Sequence, residues 1–305
     1  MMIRPSTQKQ NVTEQLSSFL TTLVISIDGE YVQISGSEVR LLSLQYCALH
    51  NDKMCSGIIP IERGEERPTF TKFIRAAIED AIKSGVLEVW PEKLIVCAHF
   101  LRADLMHFSN AFSDFDGKLH AVRNTMVSME ETYGMEVELT KYQREKLRKT
   151  KGEADNASNA SIGTDVFSIY DKNRNYHKVE IKFYDTMLIA PTGQTLADIG
   201  ELVGVPKKDI PDPYSIERMD VFQDEAPKEF GEYAVNDAVI AALAFKGYRQ
   251  FCSEMGLLGL PYTIGGVALS LYQKSIGCDL PELFGQTTIK KEIFNGETGK
   301  FRTIK

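Results

Sequence analysis

The chain has 305 residues, of which 43% are hydrophobic and 25% charged, and 42 acidic against 35 basic residues give a formal net charge of −7. This is the composition of an ordinary globular protein, and it argues against wholesale disorder. Because an acidic protein has no general attraction to nucleic acid or membranes, a phosphate-bearing partner needs a local basic patch or bound metal ions.

Cysteine usage and the N-terminal residues bear on the cellular compartment. The five cysteines are odd in number and form no C-x-x-C pair, which predicts reduced thiols in a cytoplasmic protein. Residues 1–21 are polar where a signal peptide needs its apolar region, and no apolar run reaches the roughly 18 residues of a membrane span. We therefore expect an N-terminal extension over 1–21, no export and no membrane partner.

The first part of the chain predicts an antiparallel meander followed by a helix and a buried strand. Three segments rich in β-branched residues follow one another with polar breaks: TLVISIDGEYVQI, LLSLQYCAL and MCSGIIPI. A helical pattern then opens at Pro68-Thr69-Phe70 and stops at Gly85, and the buried strand KLIVCAHF begins at Lys93. Strands before and after a helix indicate an α/β layer architecture.

The second part contains a predicted insertion. Residues from about 114 to 179 include a polar stretch with no clear period, which favours an insertion within one domain over a domain boundary. After it come a strand, a helix ending at Gly204, a Pro-rich loop and two more helices: KVEIKFYDTMLI, TLADIGELVG, PKKDIPDPY, PKEFGEYAVNDAVIAALAFKGYRQF and TIGGVALSLYQKSIG. We expect one domain over 22–274, with 275–305 a polar tail or the start of a following domain.

Two carboxylates stand side by side near the end of the first strand. The strand period of two places Asp28 and Glu30 on one face. Like charges at this spacing repel unless a cation lies between them, and no Lys or Arg occurs between Thr21 and Arg40. A divalent metal with oxygen ligands, Mg²⁺ or Mn²⁺, would meet that need. Solvated turn residues are the alternative.

Further candidates lie later in the chain. Tyr233 and Asp237 are four residues apart and share a face of an otherwise apolar helix, although such a pair also arises by chance on helix surfaces. Asp104 follows the buried strand as a helix opens, which fits either a metal ligand or a helix N-cap. His99 is placed near this site without a metal role.

The order of these motifs resembles that of a known nuclease family. D-x-E on the first strand, an Asp after a middle strand and Y-x-x-x-D on a late helix are typical of the DEDD 3′–5′ exonucleases of the tyrosine subclass. Closer still, HFLRADL, KFYDTMLIAPTGQTLADIGELVGVPKKDI and FGEYAVNDAVIAALAF are similar to the proofreading domain of family B DNA polymerases, particularly the protein-primed kind. The similarity covers roughly Thr22 to Lys274. It implies a ribonuclease H-like α/β fold, with a mixed sheet of about five strands flanked by helices.

The resemblance also implies an activity and roles for residues. The activity would be removal of nucleoside 5′-monophosphates, one at a time, from DNA 3′ ends. Two Mg²⁺ or Mn²⁺ ions would be held by four acids: Asp28, Glu30, Asp104 and Asp237. Tyr233 would orient the attacking water. Lys207, or its neighbour Lys208, would take the place of a lysine that protein-primed relatives carry, with a solvated loop lysine as the alternative.

Nucleic acid is the implied partner, as single-stranded DNA or 3′ ends, with RNA left open. An Asn commonly precedes the Asp of the family's second motif, and His99 stands at that position here; we expect His99 and Phe100 to contact the substrate. The basic run KYQREKLRKTK, with Lys146, Arg148 and Lys149, is the predicted DNA-binding arm. A solvated hairpin tip is the alternative for this run.

Other interpretations stay open. Tyr184-Asp185-Thr186 is faintly similar to a polymerase catalytic strand, but no second acid follows it in YDTMLIA. The chain is therefore expected to be either an excised N-terminal region of a polymerase or a stand-alone nuclease, such as one serving a defence or mobile element. A catalytically inactive binding module for nucleic acid or protein, and a glycosidase working with two carboxylates, are the remaining classes.

Overall fold

The computed structural model describes residues 22–35, 38–105, 107–109, 164–191, 193–257, 259–276, 291–295 and 300–304. They form an α/β fold with a mixed six-stranded sheet flanked by helices, which confirms the predicted ribonuclease H-like class with one strand more than expected. In chain order the elements are β1 (Leu23–Ser35), β2 (Glu38–His50), β3 (Lys53–Pro60), α1 (Phe70–Lys83), β4 (Lys93–Ala98), α2 (Leu101–Leu105), β5 (Thr164–Tyr170), β6 (Tyr176–Asp185), α3 (Thr186–Ile189), α4 (Leu196–Val203), α5 (Met219–Glu225), α6 (Pro227–Glu254), α7 (Ile264–Ile276), β7 (Lys291–Asn295) and β8 (Lys300–Ile304).

The sheet brings three parallel strands to its centre. Its strand order is β3-β2-β1-β4-β6-β5. Strands β1, β2 and β3 form the predicted antiparallel meander, while β4 is parallel to both β1 and β6. The carboxyl ends of β1, β4 and β6 therefore meet at one edge of the sheet, where residues from distant parts of the chain can converge.

The two faces of β1 pack against different helices, as its period of two predicts. Ile25 and Ile27 join the core cluster that contains Phe73 of α1. Val24, on the other face, packs in the cluster that contains Phe245 of α6. Helices thus cover both faces of the sheet at β1, and the first residues of this central strand are buried from solvent.

Helix α6 lies close to the sheet because its facing residues are small. Ala234, Ala238 and Ala242 are fully buried there, and short side chains allow the helix and strand backbones to approach. The hydroxyl of Ser26, buried in β1, donates a hydrogen bond to the backbone carbonyl of Ala238. This bond ties the middle of α6 to β1 one residue away from Asp237.

Some predicted elements differ from the structure. The strand read through KVEIKFYDTMLI ends at Asp185, because the Asp185 carboxylate accepts a hydrogen bond from the Met187 N–H and so begins helix α3. The region predicted as a polar tail or the start of a following domain contains the paired strands β7 and β8. Strand β5 falls within the predicted insertion and forms the edge of the sheet.

Several other predictions concern residues outside the described ones. The basic run with Lys146, Arg148 and Lys149 is among them, and so is the 1–21 extension.

The described cysteines agree with the prediction of reduced thiols: Cys47, Cys55, Cys97 and Cys252 are free. In the part of the chain that the structure describes, no helix has both the length and the apolar character needed to cross a membrane.

Strand β5 is expected to be an integral part of the sheet. Phe167 is 2% exposed, and its ring lies 5.3 Å from that of Phe70 and 6.4 Å from that of Phe183, centroid to centroid. Phe167→Ala should therefore lower the free energy of unfolding in urea by about 3–5 kcal/mol. Val166→Ala, at a neighbouring position that is 41% exposed, should change it by less than about 1 kcal/mol. Equal, small effects would mean that β5 is peripheral.

Candidate active site

Four acids from three separate elements converge at the shared edge of β1, β4 and β6. The parallel pairing ends at Ser26 opposite Cys97, so Asp28 and Glu30 extend just beyond it. Asp104 comes from α2, which follows β4. Asp237 comes from α6, which the Ser26 bond holds against β1. All four predicted acids are thus brought together.

The two acids of β1 are held where ionisation is unfavourable. Burial raises the pKa of Asp28 to about 7, the charge of Asp237 adds to the rise, and Lys207 and the Gly29 N–H oppose it. Burial likewise raises the pKa of Glu30 to about 8, with further increases from Asp28 and Asp237. Each carboxylate is therefore close enough to the others to disfavour their charged forms.

Asp104 lies in the same electrostatic environment. It is 5% exposed, and burial raises its pKa well above the usual range, with the charges of Asp28, Asp185 and Glu30 adding to the rise. It is the fourth residue of α2, so the alternative role as N-cap of that helix is wrong. A buried acid without a cap role, facing other acids, fits a cation-binding site.

A glycine separates the two acids of β1 because a buried ring lies against it. A Cβ on Gly29 would lie only 2.9 Å from Cδ2 of His107. His107 is 7% exposed, its ring centroid is 5.1 Å from that of Tyr31, and burial lowers its pKa to about 4. His107 was not predicted as a site residue, and its uncharged ring packs against Gly29 and Tyr31 of β1.

Lys207 is the cation that the local sequence around Asp28 lacks. Its ammonium group forms an ion pair with Asp237 Oδ2 and lies 5.7 Å from the centroid of the Tyr233 ring. Lys208 pairs instead with Glu232, at 3.3 Å and in an exposed position. Of the two lysines that the sequence could not distinguish, only Lys207 reaches the acids.

The loop that carries Lys207 is held by two contacts. The backbone N–H of Lys208 donates to Asn236 Oδ1 of α6, at 2.9 Å. A Cβ on Gly200 of α4 would lie 2.7 Å from the carbonyl oxygen of Val205 and 3.1 Å from the Lys207 nitrogen, so the loop crosses α4 where a side chain would not fit. Asn236 and Gly200 were not predicted as site residues.

Tyr233 faces the acids with a protonated phenol. It is 8% exposed and its ring packs edge-on against Phe222, 6.0 Å between centroids. Burial raises the pKa of its hydroxyl, and the charges of Glu30, Asp237 and Asp28 add to the rise. The phenol therefore keeps its proton near neutral pH and can donate a hydrogen bond.

His99 lies at the rim of the site as an uncharged ring. Burial lowers its pKa to about 4, with Lys207 adding to the effect. The Thr186 hydroxyl donates to the Ala98 carbonyl, at 3.2 Å, so its oxygen is left to accept from His99 Nδ1, at 3.1 Å. The ring proton is thus on Nδ1, and Nε2 is the acceptor nitrogen.

The carboxylate oxygens of the site are suitable ligands for a divalent cation. Asp237 Oδ1 is buried without a hydrogen-bond partner, and carboxylate oxygens are the ligands that Mg²⁺ and Mn²⁺ prefer. Across the described ranges, however, no three His, Cys, Asp or Glu side chains are placed closely enough to hold a metal ion as they stand. Lys207 supplies the positive charge beside Asp237 in this arrangement.

Repulsion among the acids should make stability depend on pH. A carboxyl whose folded pKa is raised to about 7, like that of Asp28, binds its proton more tightly in the folded state. Its favourable contribution is complete below its ordinary pKa and is lost as pH rises through about 7. Asp28→Asn should therefore raise the melting temperature progressively more between about pH 4 and pH 7, the span between the ordinary and the raised pKa, and by a constant amount above it.

Thermal unfolding in the presence of chelator measures this difference. Asp224→Asn, at an exposed position on α5, is the control and should give a difference that does not grow with pH. Adding Mn²⁺ at pH 8 should raise the melting temperature of the wild type more than that of Asp28→Asn. A constant difference between wild type and Asp28→Asn across the pH range would contradict the account.

Comparison with known proteins gives a sequence relative. No protein-family model matches the chain. Over its whole length the chain is similar to "Primer-independent DNA polymerase PolB" of Escherichia coli, with 34% identity over 315 aligned positions. The alignment covers 100% of this chain and 34% of that protein, so the chain spans about a third of the relative's length. The predicted resemblance to family B DNA polymerases is thereby confirmed.

A solved structure was also matched. It is a phi29 DNA polymerase complexed with primer-template DNA and incoming nucleotide substrates. The match covers 90% of this chain and 40% of that one, at a TM-score of 0.38 and 13% sequence identity.

Proposed function

We propose that this chain, which is homologous throughout to one part of a PolB DNA polymerase, is a 3′–5′ exonuclease domain that releases nucleoside 5′-monophosphates from DNA. The observation that supports it most is the convergence of four buried or half-buried acids with a protonated tyrosine and a lysine at one sheet edge. Residues 22–274 would carry this exonuclease activity.

Divalent Mg²⁺ or Mn²⁺ would be held by carboxylates from the four acids: Asp28, Glu30, Asp104 and Asp237. When bound, such ions activate water for attack on a phosphodiester and stabilise the departing 3′ oxygen. The acids are suited to this role because their mutual repulsion leaves them short of positive charge. Net negative charge of the protein is then no obstacle to a phosphate substrate.

The other site residues would act on water and substrate directly. Tyr233, protonated and facing the acids, would donate a hydrogen bond that orients the attacking water. Lys207, which lies beside both Asp237 and Tyr233, would form an ion pair with the phosphate. His99 and Phe100, at the rim, would contact the terminal nucleotide, where an aromatic ring can stack on a base.

The proposal also covers the part of the DNA strand that lies beyond the active site. The basic arm with Lys146, Arg148 and Lys149 would attract the DNA backbone toward the acidic edge. It would do so through charge alone, without reading sequence. Single-stranded DNA is the proposed substrate, and a matched RNA tests the alternative.

A direct assay tests the activity. Single-stranded DNA labelled at its 5′ end, incubated with Mn²⁺, should shorten one nucleotide at a time, and chelator should stop the reaction. Asp28→Ala and Asp104→Ala should both abolish cleavage, because ligands that act as a unit are not additive. DNA binding without cleavage by the wild type would favour a binding module, and a chelator-resistant hydrolysis of glycosides would favour the glycosidase.

Tyr233→Phe separates the role of the hydroxyl from the packing of the ring. Removing only the hydroxyl should leave folding and DNA affinity near wild type while the cleavage rate falls roughly 10- to 1000-fold, the scale of losing one positioned polar group. Tyr214→Phe is the matched control, since Tyr214 stacks on the same Phe222 ring, at 4.7 Å. If both variants cleave at the wild-type rate, Tyr233 has no catalytic role.

A further inference from the structure

Asp185 is a buried acid beside the site, and the proposed chemistry gives it no role. It is the last residue of β6, lies opposite Ala98 at the end of β4, and is 1% exposed. Burial raises its pKa to about 6 against the effect of three backbone N–H groups. Its charge in turn raises the pKa of Asp104.

Both carboxylate oxygens of Asp185 are already committed to hydrogen bonds. Oδ1 accepts from the N–H of Phe100, at 3.1 Å, and from the N–H of Met187, at 2.9 Å. Oδ2 accepts from the N–H of Leu101, at 2.9 Å. A carboxylate used in this way is a poor candidate for a metal ligand, although it lies close to Asp104.

The backbone that Asp185 holds is an unfavourable one. Phe100 has a φ of +73°, in the left-handed region that a bulky residue adopts only when its surroundings impose it. Immediately after it comes the short helix α2, whose fourth residue is Asp104. The first N–H groups of a helix have no partner within it, and here Asp185 accepts from one of them.

We propose that Asp185 is a positioning residue, which fixes Asp104 in the site by clamping the backbone of Phe100 and Leu101. The consequence for cleavage rests on the proposed function, whereas the clamp itself does not. Thr186 supports the same turn through its bonds to Ala98 and His99. The Tyr184-Asp185-Thr186 motif thus joins the end of β6 to the turn before Asp104.

Hydrogen exchange of the backbone tests the clamp without any need for activity. In the wild type the amides of Phe100 and Leu101 should be protected. Asp185→Asn keeps the size of the side chain but replaces one acceptor oxygen with an N–H₂ group that faces another donor. Exchange at these two amides should then become roughly 10- to 100-fold faster, as expected for losing bonds to a charged acceptor.

The cleavage assay measures the positioning of Asp104. Asp185→Asn should lower the rate roughly 10- to 100-fold and raise the Mn²⁺ concentration needed for half-maximal activity, because Asp104 is no longer fixed. Asp198→Asn is the matched control: Asp198 caps α4 by accepting from the Thr195 N–H and hydroxyl. It should speed exchange only around its own helix and leave both cleavage measurements unchanged.

Each result bears on a separate claim. Unprotected Phe100 and Leu101 amides in the wild type would overturn the clamp even if Asp185→Asn failed to fold. If Asp185→Asn loses the protection of these amides but keeps the wild-type cleavage rate and Mn²⁺ dependence, Asp185 does not position Asp104. A wild type that shows the protected amides but never cleaves DNA would leave the clamp standing and contradict the proposed exonuclease instead.

Discussion

Repulsion among four carboxylates at one buried end of the sheet is the constraint on which the site depends. Asp28, Glu30 and Asp104 all have raised pKa values because burial weakens their hydration and neighbouring charges oppose their ionisation. Lys207 partly offsets this by pairing with Asp237. Such a cluster lowers the stability of the fold at neutral pH, and the cations of the proposed function would relieve this repulsion.

The fold meets this constraint with a few close contacts rather than with a large polar network. Ser26 holds α6 against β1, so that Asp237 reaches the strand that carries Asp28. Gly200 allows the Lys207 loop to cross α4. Asp185 holds a left-handed residue ahead of Asp104. The Ser26 and Asp185 contacts join elements distant in sequence, whereas the Gly200 contact joins a helix to the loop that follows it. All three contacts involve the backbone.

Much of the fold could be predicted because it rests on local periodicity, and the resemblance to the exonuclease family implied that the four acids form one set. A period of two put Asp28 and Glu30 on one face, and a spacing of four put Tyr233 above Asp237. Strand β5 was missed because a short edge strand next to a polar stretch carries little pattern, and β6 was extended too far because TMLI is as apolar as a strand. Two features depend on tertiary contacts and could not be predicted from residue spacing: the choice of Lys207 over Lys208, and the contact of His107 with Gly29.

Crystals soaked in Mn²⁺ would show directly whether the four acids bind a metal ion, because anomalous scattering locates the ion independently of any activity. We expect Mn²⁺ bound by oxygens of Asp28 and Asp237, with the Lys207 ammonium displaced from Asp237. An acidic edge without Mn²⁺, in which the ion pair between Lys207 and Asp237 persists at saturating metal, would contradict this expectation.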